Sequence, residues 1–307
     1  MNILVTGGAG FIGSHLVDGY LKAGHKVAVL DNLASGRREF ISPKATFFEG
    51  DLLTADLKGI LRREKIEVIN HHAAQMSVEA SIKDPVFDAK SNIIGTLQLL
   101  ENAISSGVKK FIFASSGGAM YGDLETLPAG EDLRPRPVSP YAISKLSVEN
   151  YLQFYSGVHG LSSIVLRYSN VFGPRQNPHG EAGVVAIHCH RLTKGKPPLI
   201  YGDGEQTRDF ISVKDLVPVN LAALHPDLRG IFNVGTGRET TVKALTETLV
   251  RLSGRQASID LQPARPGELR RSAIDPGKIR ERCGWQPKHS LEEGLLETFR
   301  YFDHPEA

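Results

Sequence analysis

The feature that most constrains this chain is a glycine-spaced turn near its start, Gly7-Gly8-Ala9-Gly10-Phe11-Ile12-Gly13. It lies between a short apolar run at 3–5, which reads as a strand, and a helical pattern at about 14–23. Glycines at 7, 10 and 13 permit a tight turn, close approach of a phosphate to the backbone, and helix packed against strand. The free amides at the helix start then face an anion. The spacing differs by one residue in the turn from the Gly-x-Gly-x-x-Gly fingerprint of dinucleotide sites, with the same physics. Asp31 closes the next strand and completes the pattern. A carboxylate there accepts hydrogen bonds from both ribose hydroxyls and repels a 2′-phosphate, which favours NAD over NADP. Arg37 and Arg38 nearby keep NADP open as the minority option.

The rest of the first half supports a sheet around that turn. β-Branched runs at 26–30, 46–48, 68–71, 110–114 and 163–166 alternate with helical patterns at about 86–106 and 141–158. Val86, Ala89, Ile93, Leu97, Leu100 and Ile104 recur every three or four residues. Strand-helix alternation implies parallel pairing through right-handed crossovers, hence an α/β, doubly wound parallel sheet of Rossmann type. The second half differs: 168–208 is rich in Gly, Pro and Asn, and strands at 210–213 and 231–234 are placed to return to the sheet. We expect a cofactor-binding domain over 1–167 and a smaller C-terminal substrate-binding lobe over 168–307. The net charge of +2 gives no footprint for nucleic acid or membrane. Two cysteines, Cys189 and Cys283, without a Cys-x-x-Cys pair, fit a reduced, cytoplasmic chain. The start of the chain does not read as a signal peptide.

Strand ends in such a sheet face the ligand crevice. Gly50-Asp51-Leu52 ends the third strand, with Asp51 placed toward the adenine. His72-Ala73-Ala74-Gln75 ends the fourth, and its small residues admit a cofactor. His71 and His72 read as packing or hydrogen-bonding histidines rather than metal ligands. The fifth strand runs into Ser115-Ser116-Gly117-Gly118-Ala119. Pro140-Tyr141-Ala142-Ile143-Ser144-Lys145 then opens a helix, and residues four apart share one helical face. A phenol of pKa about 10 is a poor base at neutral pH. A neighbouring ammonium stabilises the phenolate, so Tyr141 can take a proton from a sugar or alcohol hydroxyl. A serine hydroxyl from the fifth strand can share that hydrogen bond. Gly235-Thr236-Gly237 reads as a turn before a helix. His188-Cys189-His190 lacks a fourth ligand and diverging neighbours suit no zinc site, so no metal is expected.

At these residues the chain resembles the extended short-chain dehydrogenase/reductases and, among them, the nucleotide-sugar epimerases, over nearly its whole length. The resemblance implies Tyr141 as base, Lys145 as its partner, and Asn92 as the structural asparagine beside the cofactor. It implies Ser116 as the catalytic hydroxyl, with Ser115 as the alternative. The implied cofactor set also takes in Phe11, Ile12, Asn32, Ser35, Gly36, Leu52 and Ser115. Arg167-Tyr168-Ser169-Asn170 resembles the strand exit where Asn170 meets a diphosphate. Leu199 to Phe210 resembles the uridine segment, with Tyr201 near uracil and Arg208 on phosphate. Arg265-Pro266-Gly267-Glu268 resembles the last substrate loop, with Arg265 on phosphate and Glu268 on ribose. Val184 joins the substrate set, and Ser272 marks the room at sugar C2. The helices at 86–106 and 141–158 are those that pair in homodimers of the family.

Related dehydratases and decarboxylases carry acidic residues just after the catalytic hydroxyl. Here Gly117, Gly118 and Ala119 cannot move a proton, which leaves redox chemistry without elimination. The implied activity is NAD-dependent 4-epimerisation of a UDP-hexose through a transient 4-keto sugar, with UDP-N-acetylglucosamine admitted if Ser272 leaves space. UDP-glucuronate is the rival sugar, since Arg175, Arg270 or Arg271 can meet a carboxylate. A nucleotide-sugar 4-reductase and a non-catalytic NAD-sensing regulator are the alternatives in other classes.

Overall fold

The computed structural model describes residues 1–179, 183–264 and 269–304. Six strands occupy the first half: β1 (Asn2–Thr6), β2 (Lys26–Asp31), β3 (Thr46–Glu49), β4 (Val68–His71), β5 (Lys110–Ser116) and β6 (Ser162–Tyr168). Seven follow: β7 (Asn170–Phe172), β8 (Leu199–Tyr201), β9 (Thr207–Arg208), β10 (Phe210–Ser212), β11 (Gly230–Val234), β12 (Thr240–Thr241) and β13 (Asp260–Gln262). A seven-stranded sheet runs β11-β6-β5-β4-β1-β2-β3. Every pairing in it is parallel.

Alternation along the strands sends side chains to two cores. Ile3 and Val5 join Leu16, Val17, Leu216 and Val219 on one face. Leu4 and Ile69 join Leu99, Leu100, Phe111 and Leu152 on the other. Burying each such side chain contributes roughly 1.5–3 kcal/mol, which explains why runs of apolar residues become central strands covered on both faces. Helices Phe11–Lys22 and Val213–Ala222 cover the first face, and Leu57–Arg63, Gly95–Ser105 and Pro140–His159 the second. A third apolar cluster, including Val185, Leu192, Leu245, Leu249, Leu295 and Phe299, joins helices Val184–Thr193, Val242–Ser253 and Leu291–Asp303 beside the sheet.

Three features depart from the periodicity. The helix expected over 86–106 is broken into Pro85–Ala89, a π-turn over Lys90–Ile94, and Gly95–Ser105. The π-turn carries Asn92, whose side chain hydrogen-bonds both ways with the backbone of Gln75. Of the two strands expected to return, only β11 joins the large sheet, beside β6. β10 instead pairs with β7 in a two-stranded sheet, and Val213 starts a helix rather than ending that strand.

Candidate active site

The order of strands reverses between β1 and β4, and the two chain exits beyond them frame a crevice. Thr6 lies opposite His71 there. Gly7 has φ +69°, and a Cβ on it would sit 2.6 Å from the Ala73 nitrogen. A Cβ on Gly13 would sit 2.2 Å from the Gly7 carbonyl oxygen. Backbone therefore meets backbone across the crevice floor, and only glycine fits. Gly10 is the N-cap of helix Phe11–Lys22 and gives no side-chain cap, so the first-turn amides keep their anion-facing role. Asp31 accepts from the Ala9 amide at 2.9 Å and the Leu33 amide at 2.8 Å. Each of its oxygens keeps a further lone pair for a ribose hydroxyl. Asn32 donates to Asp51 at 2.7 Å, joining two of the expected contacts. Leu52 is buried at the mouth of β3, and Gly36 lies against Ala9 and Asp31, with Ser35 exposed beside it. Arg37 pairs with Glu39 and Arg38 with Glu49 on the surface.

His71 and His72 sit at the β4 exit in different ways. The Thr96 hydroxyl donates to the Asn92 carbonyl, so His71 Nε2 donates to Thr96 at 2.9 Å and its Nδ1 accepts from Thr6 at 2.6 Å. Burial holds His71 well below the usual imidazole range and pushes His72 down to about 3, so both are neutral at pH 7. His72 stacks on Tyr168, and its buried Nδ1 has no partner among the described residues.

Helix Pro140–His159 is capped by Ser139, which accepts from Ala142, and has Pro140 in its first turn. Tyr141, Lys145 and Glu149 follow at successive turns. Lys145 is buried, donates to the Ala114 carbonyl at 2.9 Å, and lies 5.8 Å from the Tyr141 ring centre. Burial pulls its ammonium down to about 8, while Asp88 and Glu149 oppose that pull. Ser115 is buried and donates to Glu149 at 2.6 Å. Glu149 is held by Arg167 through both Nε and a terminal nitrogen, and Arg167 donates to Tyr121 at 2.7 Å. Ser116 points to the other side of the strand, half-buried, and its hydroxyl has no hydrogen-bond partner among the described residues. A Cβ on Gly117 would sit 2.5 Å from the tip of the Ile274 side chain, which would have to shift to admit one.

The substrate-side residues come from separate elements. Asn170 opens β7, and its buried Oδ1 lacks a partner among the described residues. A Cβ on Gly118 would sit 3.3 Å from that oxygen, so Asn170 faces the loop after β5. Tyr201 ends β8, Arg208 ends β9, and Val184 opens its helix, all half-buried. Ser272 is buried between Arg271 and Ala273. Arg265 and Glu268 lie outside the described residues. The three arginines offered for a sugar carboxylate already hold carboxylates: Arg175 with Asp18, Arg270 with Asp203, and Arg271 with Glu239. Gly235-Thr236-Gly237 is a turn whose amides at 236 and 237 donate to buried Asp209. His188 spends both ring nitrogens on Leu199 and Thr246, and Cys189 packs in the third core. Sequence reasoning missed Asp88, Glu149, Arg167 and Asp209, all buried. For Glu149 the signal was present, one turn beyond Lys145 on the same helical face.

A sequence profile of the NAD-dependent epimerase/dehydratase family matches residues 3–235. A UDP-glucose 4-epimerase of Mycolicibacterium smegmatis is 45% identical over 308 residues, 98% of each chain. The crystal structure of UDP-glucose 4-epimerase from Thermotoga maritima with UDP-glucose has a TM-score of 0.96 at 47% identity, covering 100% of both chains. That of the Thermus thermophilus UDP-glucose 4-epimerase complex with NAD has a TM-score of 0.93 at 44% identity, covering 98% of this chain and 99% of the other.

Proposed function

The chain belongs to the NAD-dependent epimerase/dehydratase family, and from that premise we propose that it interconverts UDP-hexoses at sugar C4 with NAD as its resident cofactor. The crevice suits NAD by the backbone approach at Gly7 and Gly13, the uncapped helix amides, the spare lone pairs of Asp31 and the unpartnered Nδ1 of His72. NAD held there would supply the hydride acceptor and donor for C4 of the sugar. Tyr141 takes the 4-hydroxyl proton and gives it back to the 4-keto sugar after that sugar has turned over. Lys145 stabilises the phenolate, and the Ser116 hydroxyl orients the reacting oxygen. Asn170, Arg208 and Arg265 hold the diphosphate while the sugar turns; Tyr201, Val184 and Glu268 hold the uridine.

The observation that carries this reading is the buried Lys145 one helical turn beyond Tyr141, donating to the Ala114 carbonyl of the strand that ends in Ser115 and Ser116. UDP-glucose and UDP-galactose are the leading substrates. Ser272 favours added room at C2 for an N-acetyl group. UDP-glucuronate is the rival sugar, for which Arg175, Arg270 or Arg271 would have to leave its present carboxylate. Residues 1–167 with β11 form the cofactor-binding part, and 168–307 mainly form the substrate lobe. Exposed Val86, Phe87, Ile94, Ile143, Phe154 and Val158 support a homodimer through their two helical regions, and the free cysteines support a cytoplasmic setting. No helix among the described residues is long and apolar enough to cross a membrane. NMR of products from UDP-glucose, UDP-N-acetylglucosamine and UDP-glucuronate tests the reading. The expected result is C4 inversion without net consumption of added NADH. Stoichiometric NADH oxidation would make it a reductase, and NAD binding without turnover would make it a regulator.

A further inference from the structure

Asp88 is a fully buried carboxylate that the proposed mechanism does not use. It lies in helix Pro85–Ala89, just before the π-turn. One oxygen accepts from Gln75 Nε2 at 2.8 Å and from Asn92 Nδ2 at 3.0 Å. The other accepts from the Ser144 hydroxyl at 2.6 Å. Backbone amides fix both amide orientations: Gln75 Oε1 accepts from Ser77 N–H, and Asn92 Oδ1 accepts from Gln75 N–H. Both side chains therefore turn an NH2 group to Asp88, which is surrounded by donors as an anion requires. Among the described residues no cation hydrogen-bonds to it, although a buried charge is costly without one.

We infer, resting on the epimerase reading above, that Asp88 is a positioning residue: it balances the buried ammonium of Lys145 while tying the β4 exit, the π-turn and the catalytic helix together. Ser144 is the chain neighbour of Lys145, so the hydrogen bond from Ser144 carries this tie to the catalytic helix. The groups facing Lys145 are few. Tyr141 and Glu149 come from its own helix, and Glu149 is already neutralised by Arg167 of β6. His71 and His72 of β4 are uncharged. Among the described residues, Asp88 is therefore the carboxylate acting on Lys145 that no cation pairs with. Burial pulls the ammonium down, and the Asp88 charge is the first influence opposing it.

Asp88→Asn isolates the charge. The asparagine oxygen can accept from Gln75 and Asn92, and its NH2 can donate to Ser144, so all three contacts survive. On NAD-loaded protein, the Tyr141 phenolate is titrated by ultraviolet difference absorbance against a Tyr141→Phe blank, and kcat/KM is followed against pH. Loss of a nearby negative charge lowers both proton-release steps of the coupled Tyr141–Lys145 pair. The phenolate midpoint and both limbs of the rate profile move to lower pH by about one unit. Ser144→Ala keeps the charge and leaves those midpoints in place while lowering kcat several-fold. Unchanged midpoints in folded Asp88→Asn overturn the inference, since a merely structural carboxylate would cost rate alone. If Asp88→Asn does not fold, the paired exchange Asp88→Ser with Ser144→Asp restores the charge and should keep the wild-type midpoints; displaced midpoints overturn the inference. Wild-type protein that turns over no UDP-hexose refutes the epimerase reading, and the phenolate titration still judges Asp88.

Discussion

The glycine-lined crevice and the region C-terminal to β7 are built by opposite means. In the crevice, main chain abuts main chain at Gly7, Ala73 and Gly13, and buried hydrogen bonds such as Thr6–His71 and Ala9–Asp31 brace it. Beyond β7, solvent-exposed ion pairs join loops, as in Arg270–Asp203, and helices, as in Arg251–Glu292. Main-chain contact cannot adapt, which suits a cofactor of one fixed shape. Exposed ion pairs contribute little rigidity and rearrange at small cost, which suits a sugar that must turn over within its site.

Four measurements sharpen or break that contrast. Tyr141→Phe should bind NAD and UDP-sugar normally and lose turnover by ~100-fold to 10,000-fold, read by product NMR; near-normal rates would remove Tyr141 as the base. Gly13→Ala drives a methyl into the Gly7 carbonyl. It should cost about 3 kcal/mol in unfolding and strip NAD during gel filtration, and a variant that melts as wild type with full NAD content would show the turn to be pliable. A pH profile is the third. Lys145 must be protonated to support the phenolate, and its pKa lies near 8. From the acid limb set by the Tyr141 phenolate, turnover should hold up to that value and fall as pH rises through it; Lys145→Met should lose this alkaline limb along with most of the rate. Arg270→Ala is the smallest. It should leave the melting temperature almost unchanged and the sensitivity to salt reduced. A large loss of stability would make the lobe as rigid as the crevice.

What the sequence disclosed follows from distance along the chain. The glycine turn and the Tyr141–Lys145 spacing are local, set by a turn and by one helical period, and so were readable. Asp88 meets Ser144 across 56 residues, Ser115 meets Glu149 across 34, and Asp209 meets Thr236 across 27. Burial makes these carboxylates important, and burial is decided by tertiary packing that no short window contains. The same limit explains β10: its composition promises a strand, while its partner depends on where β7 comes to lie. The choice between Ser115 and Ser116 was open in sequence because both are hydroxyls. The pleat separates them, sending Ser115 to Glu149 and Ser116 to the half-buried side.

The return of β11 to the large sheet has a consequence for how the molecule can be divided. The last strand of the cofactor-side sheet is made only after much of the substrate lobe has been traversed. A fragment ending at residue 167 would leave β6 with an open hydrogen-bonding edge and no covering Val213–Ala222 helix. Such a fragment would be sticky rather than a free-standing nucleotide binder. Labour is shared between two regions, but the chain is woven through both, so neither can be grafted, swapped or inherited alone.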